Sequence, residues 1–199
     1  MSDGFFQTIG NGGIIMNQNT KAVIRKGSYI NQRSRIKKLA LSGMLAAVTV
    51  ALSGFSIPIG ASRCFPIQHL VNVMAGIFLG PFYGVLTAFC TSLIRNLIGT
   101  GSLLAFPGSM IGAFLSALLF QKTGKLLFSC LGEIGGTGII GALVSYPLAV
   151  FFMGKDIAVF FFVVPFLLST VCGTLMAAAL FEIFRRLGLV SHLNRLIKE

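Results

Sequence analysis

The apolar residues of this chain fall in long, nearly unbroken blocks between Leu39 and Leu187, and blocks of that kind leave few folds open. A bilayer-spanning helix needs roughly 20 predominantly apolar residues, whereas a soluble amphipathic helix carries a single apolar stripe. The blocks leave room for about six spans. Composition points the same way, since 55% of the 199 residues are hydrophobic and only 11% are charged, with a mean hydropathy of +0.88. Such a chain needs lipid as its solvent. The expected fold class is therefore all-α, a polytopic bundle of six transmembrane helices with no soluble domain large enough to act alone.

The net charge of +11 raises nucleic acid as a partner. A nucleic-acid surface, however, interleaves its basic residues with aromatics on an exposed face, and here they punctuate the hydrophobic blocks. Lys21, Arg25, Lys26, Arg33, Arg35, Lys37 and Lys38 precede the first block, Lys122 and Lys125 separate the fourth from the fifth, and Arg185, Arg186, Arg195 and Lys198 follow the last. Six spans put all of these on one side, leaving Arg63, Arg95 and Lys155 on or near the other. The positive-inside rule then places both termini in the cytoplasm of a multi-pass protein of the cell membrane.

Residues 1–36 read as a polar, basic cytoplasmic tail, expected to be disordered; residues 37–187 form the six-helix domain; residues 188–199 are a short basic cytoplasmic tail. Within the domain the spans are expected at Leu39 to about Ser56, at two segments within Pro66 to Gly99 hinged at Gly80-Pro81, at Pro107 to Phe120, at Phe128 to Phe152 and at Ile157 to Phe184. Pro107 can open its helix as a first-turn proline, while Pro147 and Pro165 are expected to bend theirs. Ile67 to Gly80 reaches only about 21 Å at ~1.5 Å per residue, so that helix must be thinly inserted or shielded by its neighbours.

Polar and ionisable groups within such spans are costly and mark candidate sites. Gln68, His69 and Asn72 lie near the outer end of the second helix, and Arg95 and Asn96 near the outer end of the third. Topology brings His69, Asn72, Arg95, Asn96 and the loop residue Arg63 to one leaflet, beside two Gly- and Pro-containing loops, as a small-molecule pocket would require. Taken singly, Arg95 could snorkel and His69 could be satisfied by a backbone carbonyl. Glu133, Thr137, Gly141 and Ser145 recur every fourth residue along the fifth helix, with Tyr146 beside its outer end. Glu133 is either part of the site or a carboxylate capping a helix start, and a direct pair with Arg95 needs a displaced or tilted fifth helix. Glycines 132, 135, 136, 138 and 141 suit close helix packing. Gly43, Ala47 and Ala51 form a small-residue stripe on the first helix, either for packing within the chain or for docking another membrane subunit.

Enzymatic readings find little support. No G-x-x-x-x-G-K-[ST] loop or H-E-x-x-H motif occurs, and the only aspartates are Asp3 and Asp156. A serine mechanism would have to recruit His69 with a residue such as Ser109, and an acid–base mechanism His69 with Glu133. Cys64, Cys90, Cys130 and Cys172 show no metal-ligand spacing and read as packing residues. No metal site is expected.

The run Ser62-Arg63-Cys64-Phe65-Pro66-Ile67-Gln68-His69-Leu70-Val71-Asn72-Val73, with Leu79-Gly80-Pro81, Leu93 to Gly101, Ala105 to Ser109 and Gly132-Glu133-Ile134 through Gly138, resembles a known family. It is similar to the thiazole-specific substrate-binding subunit, or S component, of energy-coupling factor (ECF) vitamin transporters, the ThiW family, over residues 37 to 187. The resemblance implies an S component of an ECF-type ABC importer that captures the thiamin precursor hydroxyethylthiazole, or another small vitamin precursor, from outside. It implies as partners a transmembrane coupling subunit and two ATPases, with no cofactor in this chain and ATP used by the partners. Family S components dock through an Ala-x-x-x-Ala pattern in the first helix, which Ala47 to Ala51 matches, and the loop Ile57 to Phe65 takes the role of lid. The expected ligand contacts are Arg63, Phe65, His69, Asn72, Arg95, Asn96, Phe106, Glu133 and Tyr146, the aromatics standing in for the tryptophan that this chain lacks.

Overall fold

A computed structural model of the chain describes residues 18–59, 62–154 and 157–198, with side chains from residue 32 onward except at 58–59, 62–63 and 198. Helix α1 (Gln18–Ala51) leads through a short hairpin, β1 (Ile57–Ile59) and β2 (Ser62–Cys64), into α2 (Pro66–Leu79). Helices α3 (Pro81–Leu97), α4 (Ala105–Thr123), α5 (Leu126–Phe152), α6 (Val163–Arg186) and α7 (Leu189–Lys198) follow. The strands pair antiparallel, Ile57 opposite Cys64, Pro58 opposite Arg63 and Ile59 opposite Ser62. Everything else of regular structure among the described residues is helical.

Short connections make α1 to α6 run alternately up and down. One end of the bundle carries the hairpin, the loop 98–104 and the described parts, 153–154 and 157–162, of the segment before α6. The other carries Lys37, Lys38, Lys122, Lys125, Arg185, Arg186 and Arg195. Gly80 makes the turn between α2 and α3 at φ 84°, a left-handed conformation that glycine adopts without Cβ strain, and Pro81 opens α3, where its missing N–H has no partner to lose.

The burial pattern departs from that of a soluble protein, with many polar residues buried among the apolar core and large apolar ones exposed. Thr87, Thr91, Ser92, Ser109, Ser116, Ser129, Glu133, Ser145 and Thr170 are buried, while Phe82, Leu127, Phe151, Phe152, Phe160 and Leu175 are exposed around the perimeter. Large exposed apolar surfaces around a polar interior suit lipid, where small polar residues knit helices together and the outside needs no water. Helices α5 and α6 are each long and apolar enough to cross a membrane. The short α2 is shielded on all sides: Val73, Ala75 and Asn72 are among its buried residues, and α1, α3, α4, α5 and α6 pack around it.

Helices α4 and α5 meet backbone to backbone. A methyl group placed on Gly136 would lie 2.7 Å from Gly112 Cα, and one on Gly141 would collide with Gly108 Cα. The facing residues of α5 are spaced by four and then by five, because Ile134–Gly141 is a wide-turn π segment. Its i→i+5 geometry brings residues five apart onto one face. Ser116 Oγ and Ser129 Oγ, 2.7 Å apart, close the same interface toward the basic end.

Three expectations are corrected. The first helix begins at Gln18 instead of Leu39, so residues 18–36 are helical where a disordered tail is predicted; residues 1–17 lie outside the described residues. The C-terminal segment is the amphipathic helix α7, whose Val190, Leu193 and buried Ile197 pack on Met74, Phe78 and Leu79. Ser34 Oγ donates to Ile197 O at 2.7 Å and Lys37 Nζ to Leu196 O at 2.9 Å, tying α7 to α1. Pro165 is the third residue of α6, where a proline costs no helical hydrogen bond, so it marks the helix start instead of a bend. Pro147 stands immediately before a second π segment, Leu148–Phe152, which accommodates it within α5.

Candidate functional site

At the hairpin end the helices part around a cavity of about 460 Å³. Its wall takes Phe65, Gln68 and His69 from the start of α2, Arg95 and residues 99–102 from the end of α3 and its loop, and Leu104, Ala105, Gly108 and Ser109 from the start of α4. Thr137 of α5 and Phe161, Phe162, Pro165, Phe166 and Ser169 around the start of α6 complete it. Aromatic rings thus face a small set of hydroxyl, amide, imidazole and guanidinium groups, as in sites for small organic ligands.

Two hydrogen-bond networks position the polar wall. Arg95 Nη1 donates to Gln68 Oε1, and Gln68 Nε2 donates to Ser92 Oγ at 3.1 Å. Ser92 Oγ lies 3.0 Å from Ser109 Oγ, which donates to Ala105 O at 2.7 Å. The Arg95 guanidinium also stacks over Phe65, 4.1 Å from the ring centroid, and Nη2 reaches Thr100 O at 3.2 Å. Asn96 Nδ2 donates to Ser92 O at 2.8 Å and Ser102 O at 3.1 Å, pinning the loop that carries Thr100 to the end of α3.

The second network centres on Glu133, which is fully buried. Its Oε1 lies 2.8 Å from His69 Nδ1 and accepts from Asn72 Nδ2 at 2.9 Å. The Thr137 hydroxyl lies 3.0 Å from the same oxygen and 2.9 Å from Gly108 O, and its single proton serves one of them at a time. Asn72 also reaches Ser109 O at 3.3 Å. The other carboxylate oxygen, Oε2, has no hydrogen-bond partner among the described residues. With Nδ1 held by Glu133, Nε2 is the ring nitrogen of His69 left for the cavity.

The sequence-predicted residues therefore separate into layers. Phe65, His69 and Arg95 stand on the wall. Asn72 and Glu133 lie behind His69 and hold it, and Asn96 braces the loop. Phe106 packs against Phe89, ring centroids 5.7 Å apart, away from the wall, and Tyr146 is half-buried and also off it. Arg63 pairs in β2 through its backbone, and its side chain lies outside the described residues. No direct Arg95–Glu133 pair forms; Gln68 and His69, adjacent in α2, each take one of the two. Ser109 engages Ser92 and backbone carbonyls, with no bond to His69 among the described residues. Gln68, Ser109, Thr137 and the Phe161–Ser169 segment are wall residues beyond the predicted set. The proline opening α6 and the serine four residues after it were the available signals for that segment.

Cys64 is buried beside Ser169, whose Oγ also accepts from Phe65 N at 2.9 Å. Burial pushes the Cys64 thiol above its ordinary pKa, which disfavours thiolate chemistry there. All four cysteines are free.

The network depends on the absence of a side chain at Gly112. A methyl group there would strike the Thr137 hydroxyl and lie 2.7 Å from Glu133 Oε2. Gly112→Ala should cost about 1–3 kcal/mol through overpacking. Thermal unfolding in detergent, in a background with Cys90, Cys130 and Cys172 replaced by Ala so that a fluorogenic dye reports only the buried Cys64 thiol, measures it; an unchanged midpoint would mean that α4 and α5 part freely.

Comparison with known proteins adds one match. The family model described as "Thiamine-precursor transporter protein (ThiW)" matches residues 39–187, which include all of α2 to α6 and the whole cavity wall. No curated protein matches the chain, and no solved structure does. A polar cavity inside an apolar-surfaced helical bundle is the architecture a small-molecule transporter requires, and the chain belongs to the ThiW family of thiamine-precursor transporters.

Proposed function

We propose that this chain is the substrate-binding (S) subunit of an ECF-type ABC importer, capturing hydroxyethylthiazole from outside the cell for uptake driven by partner ATPases. The observation that carries the reading is the cavity at the end opposite the basic residues. If α1 to α6 each span the membrane, the positive-inside rule puts both termini and the basic end in the cytoplasm and the cavity at the outer leaflet. The sequence holds no P-loop, so uptake driven by ATP would draw its energy from another subunit. The stripe Gly43, Ala47 and Ala51 is exposed, with nothing within 4 Å of a methyl group placed on Gly43, and is left for the coupling subunit.

The ligand chemistry fits the wall. Hydroxyethylthiazole offers a flat aromatic ring to Phe162 and Phe166 and one hydroxyl to the polar groups opposite. With roughly nine non-hydrogen atoms and a ceiling of ~1.5 kcal/mol per atom, it can gain at most about 13 kcal/mol. Nanomolar capture, about 12 kcal/mol, would therefore need nearly every atom in contact. A cavity of about 460 Å³ is too roomy for that unless it contracts, and the β1–β2 hairpin, anchored at Phe65, is the element placed to close it.

Native mass spectrometry of the purified full chain, titrated with hydroxyethylthiazole, thiamin and the pyrimidine precursor, tests the reading. The thiazole should bind at least about tenfold more tightly than either of the others. Preference for another of the three would move the chain to a different vitamin precursor, and turnover of a ligand by the isolated chain would replace transport with chemistry at His69 and Glu133.

A further inference from the structure

Arg95 is only 2% exposed, so it does not snorkel to water, and it stands on the cavity wall. Every partner it has among the described residues is neutral: the Gln68 amide oxygen, the Thr100 carbonyl and the face of Phe65. Its Nε has no hydrogen-bond partner among the described residues. The nearby buried carboxylate, Glu133, is engaged by His69, Asn72 and Thr137 instead. A buried charge is tolerated when something matches it, and nothing described in this end of the bundle does so.

Resting on the reading of this cavity as the ligand site, and narrowing its occupant from the neutral thiazole alcohol to an anionic relative, we infer that the ligand brings the counter-charge: the cavity takes a small aromatic heterocycle bearing an anionic oxygen group, bound at Arg95 with its ring against Phe162 and Phe166. Guanidinium presents donors in a fork that suits carboxylate and phosphate alike, and hydrogen bonds between ionised partners are roughly twice as strong as neutral ones. Because the fold itself buries Arg95, the anion meets a site whose own desolvation cost lies in the fold.

The test compares three probes on the purified full chain in detergent by titration calorimetry. They are hydroxyethylthiazole, its phosphate ester, and methylthiazole acetate, in which a carboxylate replaces the terminal alcohol carbon. At least one anion should bind about tenfold or more tightly than the alcohol, and the tighter anion identifies the group. Arg95→Gln should bring the ratio of dissociation constants to within about threefold of unity, and Arg95→Lys should keep part of the preference. If Arg95→Gln does not fold, the ranking in the unsubstituted protein decides. Alcohol binding as tight as or tighter than both anions overturns the inference and leaves the proposed function standing. Binding of none of the three overturns both. Asp156 lies outside the described residues, and Asp156→Asn should leave the ratio unchanged; a rise in anion affinity would show that Arg95 is already matched and would also overturn the inference.

Discussion

Glu133→Ala should lower the stability of the detergent-solubilised protein by about 3–5 kcal/mol, the range expected when a buried, hydrogen-bonded charge partner is removed. The reason is the number of groups that converge on one oxygen. His69 Nδ1, Asn72 Nδ2 and the Thr137 hydroxyl all lie within 3.0 Å of Glu133 Oε1, and they come from two helices, α2 and α5. Removing the acceptor strands buried donors at about 1–3 kcal/mol each, offset where Thr137 turns its proton to Gly108 O. Glu133→Gln keeps an acceptor oxygen of the same reach and should cost no more than about 1–2 kcal/mol. Unfolding read through the Cys64 thiol, in the background that lacks the other three cysteines, separates the two variants. Equal losses would mean that the negative charge matters more than the hydrogen bonds, and a loss below about 1 kcal/mol for Ala would mean that the network does not hold the bundle together.

Much of the fold was legible because lipid imposes a strong rule on sequence. Apolar blocks, the Gly80-Pro81 hinge and the first-turn Pro107 all mark helix limits without tertiary information. What escaped was helix beyond those blocks. The residues before Leu39 are polar and carry no apolar periodicity, so nothing in them distinguishes helix from tail. In α7 the spacing of Val190, Leu193 and Ile197 is helical, but ten residues rich in polar groups are marginal as an isolated helix. Its packing against Met74, Phe78 and Leu79 supplies the stability, and that contact lies more than a hundred residues away in sequence.

The site was legible to the extent that polarity stands out against an apolar background. Gln68, His69, Asn72, Arg95 and Glu133 are conspicuous for that reason, and all five prove buried. Which of them line the cavity and which brace it was not readable. The spacing-of-four stripe on the fifth helix assumes an α-helical turn throughout, and the π segment breaks that phase. Glu133 and Thr137 still meet, whereas Gly141 packs on Gly108 and Ser145 donates to Leu104 O at 3.1 Å. Phe162 and Phe166 had no contrast to reveal them, because an aromatic wall residue in an apolar run looks like any lipid-facing one.

On the proposed S-subunit reading, Ala47→Leu combined with Ala51→Leu should reduce thiazole uptake by cells carrying the chain and its proposed partners to background, while ligand binding by the isolated chain stays within about twofold of the unsubstituted protein. The two faces of α1 predict the separation. Ser42, Ala46 and Thr49 are buried toward the bundle, as is Ser53 in the turn just after α1, and Ser53 Oγ donates to Thr100 Oγ1 at 3.1 Å beside the cavity. Gly43, Ala47 and Ala51 are all exposed, so larger side chains there meet no part of this chain. Against lipid the added methylenes are harmless. Against a closely packed partner helix, overpacking costs about 1–3 kcal/mol per position, so two substitutions weaken docking by roughly 30-fold to 20,000-fold. Val171→Leu, which adds bulk to an exposed position on α6, supplies the control and should leave uptake unchanged. Uptake that survives the α1 double substitution would make the stripe a lipid-facing surface and move the coupling interface to another helix. Loss of ligand binding along with uptake would instead mean that α1 shifts against the loop carrying Thr100, linking the two faces that the static structure keeps apart.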